Sequence, residues 1–325
     1  MCLMLLKRLT ECCAPSGREK TVCELIENEV KDFCDEVYTD ALGNLIAHKN
    51  GSGKKIMLAA HMDEIGIAVT FIEDEGFLRF SNIGGVYPKR LPGRRVVFAN
   101  GTVGVIESEE DNKENKLSKM FIDIGAFDKK QAEELVSVGD MAVFEGEYRQ
   151  SGDIVVSKAL DNRAGCYALI KALQRVKTDN DLYFTFTSQE EVGLRGARAA
   201  AYSLSPDYAI AVDVTDTGDI PGCAKMAVKL SKGAAVKVMD RSILCDADVR
   251  STLIELSKKN NIPYQLEVMT DGGTDAGAIH TSRGGVKTGG ISIPTRYIHS
   301  PSEIVSMSDV NACIDLICAF CENEF

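Results

Sequence analysis

The sequence predicts an α/β fold: a doubly wound mixed sheet flanked by helices, interrupted by a small β-rich insertion. Three observations predict it. Strand-like and helix-like segments alternate on both sides of residues 70–153, the pattern of strands joined by crossover helices. Between those positions the texture changes to short β-rich pieces separated by Gly, Pro and Asn turns. The run Ile56-Met57-Leu58-Ala59-Ala60 is continuously apolar, as a strand buried on both faces of a parallel sheet should be. The expected domains are residues 1–69 with 154–325, and the insertion 70–153.

Each element follows from local pattern. Leu3, Leu5, Leu6 and Leu9, then Val22, Leu25, Ile26 and Val30, recur at helical spacing and are broken at Pro15-Ser16-Gly17. GNLIAHKNG and KKIMLAAHMDE read as strands divided by Gly51-Ser52-Gly53. The insertion contributes FLRFSNIG, RRVVFANGTVGVIES and MAVFEGEY, an exposed charged loop over Glu109–Lys119, and one helix-like piece, Asp128–Leu135. The α/β alternation returns with a helix in SKALDNRAGCYALIKAL, a strand in DLYFTFTSQEE, a helix in GLRGARAAAYSL and a strand in DYAIAVDVT. The C-terminal DVNACIDLICAFCENEF is helical, so its Cys318-Ala-Phe-Cys321 spacing reads as buried thiols on a helix face.

Composition excludes several function classes. The 325 residues carry a formal charge of −11, which argues against nucleic-acid or anionic-membrane partners. The locally basic GGVYPKRLPGRRV has little aromatic interleaving, and no phosphate loop or dinucleotide fingerprint is present. Eleven cysteines, an odd number partly clustered, fit reduced thiols and a cytoplasmic protein. The apolar N-terminal run is interrupted by Lys7, Arg8 and Glu11 and is too short for a signal peptide.

Polar residues gather where such folds bind ligands. Three strands run into His61-Met62-Asp63-Glu64, Gln189-Glu190-Glu191 and Asp213, and open parallel sheets bind beyond the carboxyl ends of their strands. Asp161 stands at a helix start, where it is either an N-cap or a ligand. His299 lies in PTRYIHSPSE, with Pro294 and Pro301 expected to hold the backbone extended on either side. Of four histidines, His48 reads as an ordinary strand residue, and His280, in TDGGTDAGAIH, belongs to a substrate-facing loop or a plain turn. His61, Asp161, Glu191, Asp213 and His299 exceed what one catalytic zinc needs, whereas two metals sharing a carboxylate use all five. Glu190 is then free to act as general base, and Asp63 stands where it accepts the other ring N–H of His61.

AAHMDEIG, SKALDNRAGC, SQEEVGLRGA, AVDVT and PTRYIHSPSE, in this order, resemble the dinuclear metal aminopeptidases that form tetrahedral dodecamers, known also as glutamyl aminopeptidases, TET peptidases or "cellulase M". APSGRE, LPGRRV, FIDIGA and GGTDAGAIH extend the resemblance over nearly the whole chain. It implies a zinc-exopeptidase-like domain with a PDZ-like β-barrel insertion that mediates dimerisation. It implies two divalent ions, zinc or cobalt, with His61 and Asp213 on one, Glu191 and His299 on the other, and Asp161 between them. It further implies Glu190 as base toward a bridging water, Asp63 behind His61, and short peptides as substrates. A carboxypeptidase or amide deacylase on the same scaffold is the nearest alternative; a non-catalytic oligomer is another. A glycosidase is disfavoured because adjacent strand residues, here Glu190 and Glu191, point to opposite faces.

Overall fold

The computed structural model describes residues 2–325. Helices α1 (Cys2–Glu11) and α2 (Lys20–Val30) lead into β1 (Glu36–Thr39), β2 (Leu45–Lys49) and β3 (Lys55–His61). The chain then builds β4 (Gly66–Ile72), β5 (Leu78–Ile83), β6 (Arg95–Phe98), β7 (Val103–Ser108), β8 (Met120–Asp123), α3 (Lys129–Leu135) and β9 (Met141–Phe144). It returns through β10 (Arg149–Ser151), β11 (Ile154–Ser157), α4 (Leu160–Leu173), β12 (Asp181–Thr187), α5 (Arg195–Leu204) and β13 (Tyr208–Thr215). It ends with β14 (Ala234–Met239), α6 (Ala247–Lys259), β15 (Tyr264–Val268), α7 (Asp275–Ile279), β16 (Lys287–Arg296), β17 (Glu303–Ser306) and α8 (Met307–Cys321).

An 11-stranded mixed sheet runs in the order β1-β2-β12-β3-β13-β16-β17-β11-β10, with β14 on β16 and β15 outside β14. Its centre is parallel: β3 lies between β12 and β13, and β13 pairs in parallel with β16. Buried on both faces, these strands need apolar side chains throughout, and Ile56 to Ala60 are all buried. Helices α1, α2, α4 and α8 cover one face in the main core, while α5 and α7 pack on the other against Met57, Ala59 and Ala209.

Strands β4-β5-β8-β7-β6-β9 close a six-stranded antiparallel barrel. Its interior, including Ile67, Val69, Leu78, Phe80, Val96, Ile106, Ile122 and Phe144, is a cluster separate from the main core. The barrel strands begin at Gly66, before residue 70. The β10–β11 hairpin instead extends the large sheet, because β11 pairs with β17 and buries Val155 in the main core. The expected helix at Asp128–Leu135 is α3, and Asp128 caps it by accepting the N–H of Gln131. Cys318 and Cys321 are buried free thiols on α8.

The N-terminal segment is fixed to the sheet by one cation. Arg163, on α4, is fully buried, and its guanidinium donates to the carbonyls of Met62 (2.6 Å), Leu9, Cys12 (3.2 Å) and Ala14 (3.4 Å). Glu64 supplies the counter-charge and is shared with Lys158 at 2.6 Å. A planar fork of five donors suits such a set of acceptors, and no apolar residue can replace it. Arg163→Met takes the guanidinium donors from the carbonyls of Met62, Leu9 and Cys12, while Glu64 keeps Lys158 and the Ala14 N–H. A loss of about 2–4 kcal/mol is expected from the buried carbonyls left unsatisfied, read as a fall in the denaturant midpoint; a loss below about 1 kcal/mol would mean the anchor is dispensable.

Candidate metal centre

The parallel register brings the polar strand ends level. Thr187 of β12 lies opposite His61 of β3, and Asp213 of β13 opposite Ser292 of β16. His61 is the last residue of its strand, whereas Asp213 lies within β13, two residues before its end. Glu190 and Glu191 follow β12 in a turn, beyond its last residue Thr187. The strand alternation expected to separate them therefore does not apply. Gln189, with φ +54°, swings the chain so that both carboxylates face the same cleft.

Asp161 is not an N-cap. It and Asn162 have non-helical dihedrals at the start of α4, and the Asn162 side chain takes over the cap by accepting the N–H of Gly165 at 3.0 Å. Asp161 is left free to present one oxygen to each histidine. Its Oδ1 lies 3.1 Å from His61 Nε2, and its Oδ2 lies 3.3 Å from His299 Nε2. The loop after β16 is not extended around His299: Tyr297 and His299 adopt left-handed backbone at φ +62° and +59°. The neighbouring prolines do not prevent this, and the two turns aim the imidazole inward.

Two overlapping groups of donor atoms result: His61, Asp161 and Asp213, and Asp161, Glu191 and His299. Asp213 Oδ1 is 3.7 Å from His61 Nε2, and Glu191 Oε2 is 3.3 Å from His299 Nε2. Ligands around a tetrahedral ion with bonds of about 2.0–2.1 Å stand roughly 3.3 Å apart, so both groups have the right spread. Glu190 Oε2 lies 3.9 Å from His61 Nε2, at the edge of the first group.

The electrostatics fit cations. Among the described residues, the carboxylates of Asp161, Glu190, Glu191 and Asp213 form ion pairs with the two imidazoles and with no Lys or Arg. Burial pulls His61 toward its neutral form, but Glu190, Asp161, Asp213 and Asp63 outweigh it and raise its pKa well above the ordinary value. Burial acts likewise on His299, and Asp161 and Glu191 push it up to about 12. Asp161 is lowered: its burial is overcome by the hydrogen bonds from His299 and His61. Glu190, Glu191 and Asp213 are raised, chiefly by burial. The cluster thus calls for positive charge, and divalent ions bound by the same atoms would supply it while leaving each Nε2 lone pair to ligate.

Outer residues hold this set in place. The Nδ1 of His61 lies 3.1 Å from the Asp63 carbonyl and 3.4 Å from its carboxylate, leaving Nε2 for the cleft. The same carboxylate accepts the N–H groups of Glu190 (3.0 Å) and Glu191 (3.2 Å) and the Ser16 hydroxyl (2.6 Å). Glu19 accepts the N–H groups of Gly17 and Gln189, so the segment APSGRE is a brace for the Gln189 turn. The barrel also reaches in. A Cβ at Gly84 would stand 2.9 Å from Glu191 Oε2, and one at Gly85 2.7 Å from His299 Nδ1, so only glycine leaves both side chains in place.

Several of these residues escaped sequence reading. Ser16, Glu19, Glu303 and Asp275 all lie in motifs noticed for their pattern, but a polar residue in a loop does not reveal its partner. Asp275, raised by burial to about 7, is hydrogen-bonded by Thr187 beneath the site. His280 caps α7, its Nδ1 3.0 Å from the Ala276 carbonyl. His48 pairs with Asp181 at 2.6 Å and stacks on Tyr183.

The chain matches the model of a family described as M42 glutamyl aminopeptidase over residues 43–316. A provisionally named aminopeptidase of Acetivibrio thermocellus is 54% identical over 317 residues, 96% of each chain. The lysyl aminopeptidase of Pyrococcus furiosus is 36% identical, covering 98% of this chain and 96% of its own. The Pyrococcus horikoshii TET1 peptidase, described as assembling into a tetrahedron or a large octahedral shell, superposes with a TM-score of 0.90 at 36% identity, covering 99% of this chain and 100% of its own. With a donor set suited to cations at the carboxyl ends of its central strands, this chain belongs to the M42 glutamyl aminopeptidase family and is a metal-dependent aminopeptidase.

Proposed function

We propose that the chain removes N-terminal residues from short peptides at a dinuclear centre held by His61, Asp161, Glu191, Asp213 and His299. The observation that carries this reading is the division of four side chains about one carboxylate: Asp161 has His61 and Asp213 on one side and Glu191 and His299 on the other. The same division is what the family resemblance implies. Two divalent ions, zinc or cobalt, would supply Lewis acidity there, of the kind that polarises a carbonyl and lowers the pKa of a bound water.

Glu190 acts as general base and then general acid. Its carboxylate lies outside both donor groups, yet its Oε2 stands 3.9 Å from His61 Nε2. It takes a proton from the attacking water and returns it to the leaving amine. Asp63 is a positioning residue. It fixes the His61 ring and, through the amides of Glu190 and Glu191, the turn that carries the base.

We further propose the barrel as a dimerisation unit, and the dimer as the building block of a tetrahedral dodecamer. In support, the barrel exposes Phe71, Phe127, Leu135 and Val138, and the TET1 relative assembles into closed shells. The ten cysteines whose side chains are described are free thiols, which supports a reducing, cytoplasmic setting.

Glu190→Gln keeps shape and ligands but cannot take a proton. It is expected to retain both metals, measured by elemental analysis, while kcat falls about 10²–10⁴-fold; full turnover would remove Glu190 from the mechanism. Chelation should abolish peptidase activity and zinc or cobalt restore it, and chelator-insensitive hydrolysis by fully stripped protein would refute the metal assignment. Acetylating the N-terminus of a cleaved test peptide should stop its hydrolysis. Continued cleavage would favour a carboxypeptidase or deacylase instead.

A further inference from the structure

We propose that Glu303 is a positioning residue whose single carboxylate locks together the two segments carrying Asp161 and His299, so that the ion held on the His299 side depends on it most. The inference rests on the dinuclear reading above.

Glu303 is the first residue of β17 and is 2% exposed. Its Oε2 accepts the N–H of Asp161 at 2.9 Å, and its Oε1 accepts the N–H of His299 at 2.9 Å. Both amides belong to irregular backbone: Asp161 precedes the regular part of α4, and His299 is left-handed. Neither finds a partner in a regular ladder, so this carboxylate satisfies two buried donors that would otherwise be costly. The sheet sets its position from both sides. β17 pairs with β11, placing Glu303 opposite Ser157, four residues before Asp161. It also pairs with the end of β16, which leads into the His299 loop.

The choice of an anion here is unfavourable on its own. Glu303 is a buried carboxylate standing beside a second one, Asp161. The Lys158 ammonium, which lines one small cavity together with Glu303, Asp161 and His299, is paired with Glu64. A carboxylate nevertheless offers what a neutral amide cannot, two acceptor oxygens for two N–H groups. The ligand groups divide the consequences unequally. Asp161 and His299 both belong to the group with Glu191, whereas only Asp161 belongs to the group with His61 and Asp213. Glu191 itself is held by Asp63. Loss of the Glu303 clamp therefore disturbs two ligands of one ion and one of the other.

E303Q keeps the shape but replaces one acceptor by a donor. The test titrates metal-stripped full-length chain with zinc against a chromophoric chelator, for wild type, E303Q and E303D, with His299→Ala marking which step belongs to His299. Thermal midpoints of the stripped proteins are read in parallel. Wild type is expected to bind two ions. E303Q should weaken the His299-side ion about 10- to 100-fold and the other far less, and E303D, with both acceptors on a shorter arm, should fall between. Unchanged affinities in E303Q overturn the proposal, as do equal losses at both sites that track a lowered midpoint. If E303Q does not fold, E303D decides: selective weakening supports the clamp and wild-type affinities overturn it. A wild type that binds fewer than two ions refutes the dinuclear reading, and the proposal with it, whereas two ions with an unaffected E303Q refute the clamp alone.

Discussion

One carboxylate, shared between two imidazoles at 3.1 and 3.3 Å, sets the terms for most of what surrounds it. For Asp161 to face both ways it must leave the helix it begins. The first turn of α4 gives up helical dihedrals, and Asn162 supplies the cap. Its burial beside Glu191 and Asp213 would be untenable without positive charge, because like charges so close cannot all ionise in a dry cleft. The two imidazoles are the groups that pair with it, and the donor geometry is that of a site suited to ions. Backbone in sparsely populated regions at Ala159, Gln189 and His299 clusters at the same place, as strain does where function constrains geometry.

Two further carboxylates, neither of them in the donor groups, organise the rest. Asp63 gathers the His61 ring, the Glu190 and Glu191 amides and Ser16. Glu303 gathers the Asp161 and His299 amides. Each binds segments far apart in sequence, so the cleft is held by a few long-range hydrogen bonds rather than by any one loop. Behind them the Arg163–Glu64–Lys158 network fixes the N-terminal segment. The barrel, though it has its own core, completes the wall with Gly84 and Gly85, where a single methyl group would meet Glu191 or His299.

Much of this was legible in the sequence because it depends on local periodicity. The apolar run at Ile56–Ala60 read as a doubly covered strand, and the change of texture from about residue 70 marked the barrel, whose first strand begins at Gly66. The polar residues closing three strands pointed to one cleft, since parallel strands with aligned register end together. What local pattern could not decide was direction. Asp161 read equally as a cap, Glu190 and Glu191 read as alternating about a strand, and the prolines beside His299 suggested extended backbone. In each case a left-handed or non-helical residue, held by distant partners, turned the side chain into the cleft.

The sequence alone therefore determined the fold class, the inserted module and the residue types at the site, because periodicity and strand termini are local properties of the chain. Tertiary structure decided the two-sided role of Asp161, the clamps made by Asp63 and Glu303 and the approach of the barrel glycines. Each includes at least one contact between residues far apart in sequence, such as Ser16 with Asp63 and Asp161 with Glu303. No local pattern encodes such pairs; they exist only once the parallel register has brought the strand ends level.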